Sequence, residues 1–282
     1  MNRRTERQVI KRPDDLLAQA RREAEFFDKV YDEVDALHRA ENYIIPEHLV
    51  REVTHPGARP ISYREYACSL LGDLKEKKLL DYGAGDGWNS VCFAKAGAKV
   101  WAMDISKKSI ELVKKKAVAN GVAEAIIAEV RDCYDTGFPS DMFDVIYGNG
   151  ILHHLAVAKA GRELNRILRP EGVAVFNEPM RESRVLDVIK AVVMRLAHRK
   201  PQETTENEAP LTKKGIAPMG LYFKTFKSRQ FEVVSAANAL IRSKALRRLL
   251  LWADDLLIRC VPEFEPLGRA VVIELRRPVK GL

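Results

Sequence analysis

Cysteine is scarce in this sequence of 282 residues: the four present (Cys68, Cys92, Cys133, Cys260) show no paired spacing. That count and scatter argue against a disulfide framework and against a thiolate metal site. No apolar run approaches the roughly 18 residues that a membrane-crossing helix needs. The opening stretch, Met1-Asn2-Arg3-Arg4-Thr5-Glu6-Arg7, lacks the apolar core of a secretion signal, so a reducing cytoplasm is the expected setting. Aromatic-rich basic clusters and recognisable RNA-binding modules are missing too, which argues against nucleic acid as a partner.

What is present suits a globular protein. Apolar residues make up 46% of the chain and charged residues 30%, mixed in sign. The net charge of +8 is unevenly placed: residues 181–282 hold 20 Lys and Arg against 11 Asp and Glu, leaving 27 against 28 for the rest. A basic C-terminal third suits an anionic substrate, an acidic membrane surface or nucleic acid, or is simply a solvated face.

The most informative stretch is Leu79-Leu80-Asp81-Tyr82-Gly83-Ala84-Gly85-Asp86-Gly87-Trp88-Asn89-Ser90, an apolar run that breaks into three alternate glycines. It reads as a buried strand, a tight turn and a helix start. Glycines there permit positive φ and let backbone groups approach a small ligand. A dinucleotide fingerprint would place its third glycine at position 88, where Trp88 stands. Asp81 and Asp86 would repel a pyrophosphate and favour a cationic ligand. The stretch resembles motif I of the class I methyltransferases, whose cofactor S-adenosyl-L-methionine carries a sulfonium and an ammonium.

Downstream features recur in that family's order. Lys99–Asp104 reads as a second strand whose terminal carboxylate, Asp104, lies about 20 residues past the glycines, where an acid can accept both ribose hydroxyls. The competing role, capping the helix from Lys107, suits Ser106 better. The strand Ala125–Val130 leads to Arg131-Asp132-Cys133. The resemblance assigns Asp132 to the adenine amine, with Cys133 following as a small neighbour; an exposed turn aspartate is the alternative. Asp141–Gly150 resembles the family's fourth strand, ending at Asn149 beside the methionine moiety. Ile151-Leu152-His153-His154-Leu155 follows, placing two histidines at the ligand crevice of an α/β sheet. Helix Val157–Leu168 ends at Arg169-Pro170-Glu171-Gly172, before a strand Val173–Pro179 with Glu178 near its end.

The resemblance covers residues 75–180 and is closest to the small-molecule methyltransferases of ubiquinone and menaquinone biosynthesis. It implies a Rossmann-like α/β fold: a seven-stranded, mostly parallel sheet, helices on both faces and an antiparallel final strand. We expect three regions: a helical leader or lid (1–75), a cofactor-binding core (76–180), and a segment (181–282) that completes the sheet and adds substrate-covering helices. In the leader, residues 14–40 form one long amphipathic helix whose Phe26, Phe27 and Tyr31 either pack in a core or approach the pocket. Beyond Pro179 we expect an amphipathic helix (Val185 to Leu196), a polar linker (Pro201 to Ala209), a sixth strand at Phe231–Ser235 and a last strand at Ala270–Leu275. Between these strands, Leu246, Leu249, Leu250, Ala253, Leu256 and Leu257 recur at helical spacing, with Arg242, Lys244, Arg247 and Arg248 opposite. This helix is either interfacial, giving peripheral membrane contact, or an additional lid helix buried against the leader, since Asp254 and Asp255 interrupt the basic face.

The expected cofactor contacts are Asp81, Gly83, Ala84, Gly85, Gly87, Asp104, Ile105, Asp132, Cys133 and Asn149. His154 or His153 is the candidate base, with Glu178 next, and no metal is required. The expected acceptor is a small, lipophilic molecule; S-adenosyl-L-homocysteine is the by-product. RNA or protein modification, or a silent cofactor-binding partner, are the alternatives. Against base N-methylation, Asn149-Gly150-Ile151-Leu152 stands where an Asn-Pro-Pro-Tyr-type motif would be.

Overall fold

The computed structural model describes residues 13–37, 43–55, 61–180, 211–233, 241 and 243–281. Seven strands form one sheet: β1 (Lys78–Tyr82), β2 (Lys99–Asp104), β3 (Ile126–Val130), β4 (Phe143–Asn149), β5 (Leu168–Pro179), β6 (Phe223–Phe231) and β7 (Ala270–Pro278), in the order β3-β2-β1-β4-β5-β7-β6. The first five are mutually parallel and β7 runs antiparallel to both β5 and β6. This is the expected Rossmann-like sheet.

The central strands are apolar almost throughout because both faces are covered. Leu80, Tyr82, Ile146 and Phe176 point to one side, against Leu164 and Ile167 of α6 (Val157–Ile167). Leu79, Val100, Val145 and Val175 point to the other, against Ala67, Cys68 and Leu71 of α3 (Tyr63–Leu71) and Val91, Cys92 and Phe93 of α4 (Trp88–Lys95). α5 (Lys107–Ala119) packs Ile110 and Val113 on Ala102 and Ala128. Short helices α2 (Glu47–Thr54) and α7 (Lys213–Ile216) fill the flanks, and α8 (Lys244–Cys260) precedes β7.

Helix starts follow local chemistry. Ser62 caps α3 in a reciprocal capping box with Glu65, and Ser106 Oγ accepts the Ser109 N–H at the start of α5. The leader forms α1 (Pro13–Leu37) within the expected helix 14–40, whose last residues, 38–40, lie outside the described residues. Asp28 ties it to α5, accepting from Ser106 Oγ at 2.6 Å and from Lys108 N at 3.2 Å.

Two strand assignments need correction. β6 spans Phe223–Phe231 and, of the expected Phe231–Ser235, includes Phe231 alone among the described residues, because Glu232 takes a left-handed conformation (φ 65°) that ends it; Val234 and Ser235 lie outside the described residues. Its exposed Lys224 and Lys227 are charges suited to a sheet edge, and they disguise the strand in sequence. β5 begins at Leu168, five residues early, since Leu168 pairs with Phe143 before a register shift. Gly172 permits this: a Cβ there would lie 2.7 Å from Leu168 Cδ1. The expected helix Val185–Leu196 and linker Pro201–Ala209 lie outside the described residues.

Candidate active site

The carboxyl ends of β1 to β5 share one edge of the sheet, and a cavity of about 250 Å³ opens there. Its floor is the glycine turn. Gly83 and Ala84 donate their N–H groups to Met103 O at 3.0 and 2.8 Å, stitching the turn to the end of β2. Gly85 has φ 56°, and a Cβ on it would come within 3.1 Å of Tyr31 Oη. Backbone of β1, the turn and a leader side chain therefore meet with no room to spare.

Asp104 lines the cavity from the end of β2. Its Oδ2 accepts Gly85 N and its Oδ1 accepts Ser106 N, each at 2.9 Å. Burial pushes its carboxyl pKa up, against those backbone donors. Each oxygen keeps lone-pair capacity for a hydroxyl donor. Ser106 is thus the helix cap, while Asp104 is oriented by the turn that it faces. Asp132 lines the same wall, its Oδ1 accepting Tyr134 N at 2.7 Å. Cys133 lies beside it, its thiol driven up by burial and so held uncharged.

Of the expected residues, Gly83, Ala84, Gly85, Asp104, Ile105, Asp132, Cys133, Asn149 and His154 line the cavity. Asp81, Gly87, His153 and Glu178 do not. Asp81 is fully buried behind the turn and accepts Ser90 Oγ at 2.5 Å. Burial first, then the nearby Asp104 and Asp86 charges, raise its pKa to about 7 against the opposing Ser90 bond. Gly87 is the left-handed cap of α4 (φ 84°), where a Cβ would strike Val113 Cα at 2.9 Å.

Glu178 is enclosed and has a structural task. Its Oε1 accepts the N–H groups of Ile151 and Leu152 at 2.9 and 2.8 Å, and its Oε2 meets His153 Nδ1 at 2.8 Å. It pins the loop after β4. That loop turns His154 into the cavity, with its ring centroid 4.0 Å from that of His153 and edge-on to Phe27. His154 Nδ1 makes no hydrogen bond and lies 4.0 Å from Glu23 Oε2. Burial, then the neighbouring His153, lower the His154 pKa to about 4, so its ring is neutral at physiological pH.

The leader supplies the opposite wall through Ala20, Glu23, Phe27 and Tyr31. Phe27 and Tyr31 stack with centroids 6.0 Å apart, whereas Phe26 meets Phe27 edge-on and does not line the cavity. Glu23 is absent from the sequence-based set. Its signal is the spacing of positions 20, 23, 27 and 31, one helical face on which an acid sits among apolar residues. Asp86 also lines the cavity and is neutralised from behind by the fully enclosed Lys116, with Nζ 2.6 Å from Oδ2 and 5.3 Å from the Trp88 ring centre.

Residues 80–176 match the family described as a methyltransferase domain. The uncharacterized methyltransferase YcgJ of Bacillus subtilis (strain 168) is 32% identical over 98 residues, covering 34% of this chain and 38% of that protein. The ubiquinone biosynthesis O-methyltransferase of Actinobacillus pleuropneumoniae is 30% identical over 125 residues, covering 40% and 50% respectively. The chain thus spans between about a third and a half of the length of these curated relatives. Over 76% of this chain and 77% of the other, the fold matches geranyl diphosphate C-methyltransferase from Streptomyces coelicolor, solved with Mg2+, geranyl diphosphate and S-adenosyl-L-homocysteine, at 14% identity and a TM-score of 0.50. Residues 80–176 of this chain thus match a methyltransferase-domain family, and the seven-stranded fold around them is similar to that of a solved methyltransferase.

Proposed function

We propose that this chain binds S-adenosyl-L-methionine in the cavity at the carboxyl edge and transfers its methyl group to a small, lipophilic acceptor. The observation that carries the reading is the convergence of the Gly83–Gly85 turn, Asp104, Asp132 and Asn149 on one cavity. The residues fit the cofactor. Asp104 has the capacity to accept ribose hydroxyls, Asp132 an exocyclic amine, and the acid-rich lining suits a ligand with two positive centres. A Cβ at Gly85 would crowd Tyr31 Oη, which lines the same cavity. Bound there, the cofactor supplies an already activated methyl group, and the protein's share of the work is alignment and proton handling.

Of the three candidate proton acceptors, His154 faces the cavity and is unprotonated at neutral pH. It is the group to take a proton from an acceptor hydroxyl, amine or acidic carbon. His153 and Glu178 act through it as positioning residues, because they fix the loop on which it sits. Phe27, Ile151 and Leu155 give the acceptor side an apolar lining, in keeping with a lipophilic substrate.

The test joins calorimetry to product analysis. Asp104→Ala should weaken S-adenosylmethionine binding by about 2 to 4 kcal/mol, the loss of hydrogen bonds to a charged acceptor. Unchanged affinity would remove Asp104 from the cofactor site. Mass spectrometry with panels of lipophilic and polar acceptors should show methylation in the lipophilic panel. Turnover of polar compounds alone would overturn the acceptor class, and binding without any turnover would favour a silent cofactor-binding partner.

A further inference from the structure

The sequence leaves α8 either interfacial or a buried lid, and the placement of its two acids bears on that choice. Asp254, which would break a basic interfacial face, is turned inward and only 3% exposed. Asp255 also faces the body of the protein, where it accepts from Arg229 Nη2 at 3.1 Å and Arg259 Nε at 2.8 Å. The outward face is therefore free of acid over the whole helix.

That outward face carries Leu246, Leu249, Trp252 and Leu256, exposed by 44%, 56%, 54% and 45%. Their spacing of three, three and four residues places them along one line of the helix. Single exposed leucines are ordinary on a protein surface, but an aligned stripe with an indole at its centre is not. Exposed Arg248 borders the stripe on one side, next to Arg259, whose charge is paired with Asp255. At about 1.5 Å per residue the helix gives a platform about 25 Å long.

We propose that α8 is a membrane-docking helix that lies flat in the interface of an anionic lipid bilayer. The stripe enters the boundary between headgroups and acyl chains, Trp252 sits at the headgroup level, and the bordering Arg248 meets lipid phosphate. Charge complementarity selects this occupant: acids are withdrawn, exposed Arg248 borders the apolar line, and residues 181–282 hold the 20-to-11 excess of basic over acidic residues counted above. The proposal is independent of cofactor binding and of the acceptor.

The test uses the full chain with vesicles of phosphatidylcholine, alone or mixed with phosphatidylglycerol, in a flotation assay. Cys260, the one exposed cysteine of the four, lies at the end of the helix and takes an environment-sensitive dye for a second readout. Binding should require the anionic lipid and weaken as salt is raised. Trp252→Ala should lower the partition coefficient by about tenfold or more, and Arg248→Gln by about fivefold. Unchanged thermal unfolding in these variants shows that they fold. Three results would each overturn the proposal. One is no flotation with either lipid. Another is a dimer in light scattering that Leu249→Glu dissociates, since a second copy then covers the stripe. The third is a Trp252 already shielded from acrylamide without vesicles, since the chain then covers its own stripe.

Discussion

Among the ionisable side chains at the site, burial shifts Asp81 and His154 within the pH range open to titration. Burial raises the Asp81 carboxyl from 3.8 to about 7, so the folded state holds a proton that the unfolded chain has released. The associated stability is complete below about pH 4 and is lost as pH rises through 7. Denaturant titrations should show the wild type losing about 2 to 3 kcal/mol relative to Asp81→Asn between pH 5 and pH 8. A constant difference would place an ionised carboxylate in the folded protein. His154 shifts the other way, from 6.5 to about 4. Its contribution is present above its unfolded pKa and disappears as pH falls from 6.5 toward 4. In an NMR titration its imidazole carbon should stay in the neutral position down to about pH 5; a midpoint near 6.5 would contradict the burial seen here. Residue types were legible in the sequence, whereas their orientation was not. Asp81 and Asp104 both read as strand-end acids, but alternation along a strand turns Asp81 under the turn while the last residue of β2 reaches the cavity. Likewise a pair of adjacent histidines cannot be divided into one facing the ligand and one held by Glu178 until the turn Leu152–His154 is in place.

Elements with strong local signals fall where the sequence puts them. The β2 boundaries, Lys99–Asp104, agree to the residue, and Ser106 caps α5 as its hydroxyl and position suggest. The corrections come from places where tertiary pairing overrides local signals: β6, stabilised as an edge strand despite its lysines, and the extension of β5 through Pro170 and Gly172. The leader's role over the site depends on contacts distant in sequence. Asp28 on α1 accepts from both Ser106 Oγ and Lys108 N, at the start of the helix that follows Asp104. Asp28→Ala should leave the sheet intact and loosen the Phe27 and Tyr31 wall. We expect cofactor dissociation to quicken by about fivefold to tenfold, the cost of about 1 kcal/mol of charged hydrogen bonding, read by stopped-flow fluorescence. An unchanged rate would mean that α1 is held by its other contacts.

At the scale of the whole molecule, the site is a property of the sheet's topology. Five parallel strands bring Asp81, Asp104, Asp132, Asn149 and Glu178 to one edge, and this much followed from the order of motifs. The apolar line of α8 did not, because helical spacing alone cannot say which way Asp254 turns. If the cavity is the cofactor site, ligand binding must be linked to global stability. S-adenosylhomocysteine at a hundred times its dissociation constant should stabilise the fold by about 2.7 kcal/mol, seen as a higher melting temperature, with no shift from a nicotinamide dinucleotide. A shift with the dinucleotide alone would reverse the reading of the Trp88 position.

The place of β7 in the sheet has a consequence for how the protein is made. β7 is inserted between β5 and β6, and β6 pairs with no strand other than β7 among the described residues. During synthesis β5 emerges with its outer edge unpaired, and at about 5–20 residues per second its partner follows some 5 to 20 s later. Throughout that interval the ribosome carries a chain whose core is largely present but whose sheet is open along a row of bare amide and carbonyl groups. Translation speed between β5 and β7, and any chaperone that shields that edge, therefore bear on the yield of the folded protein more than on its final stability.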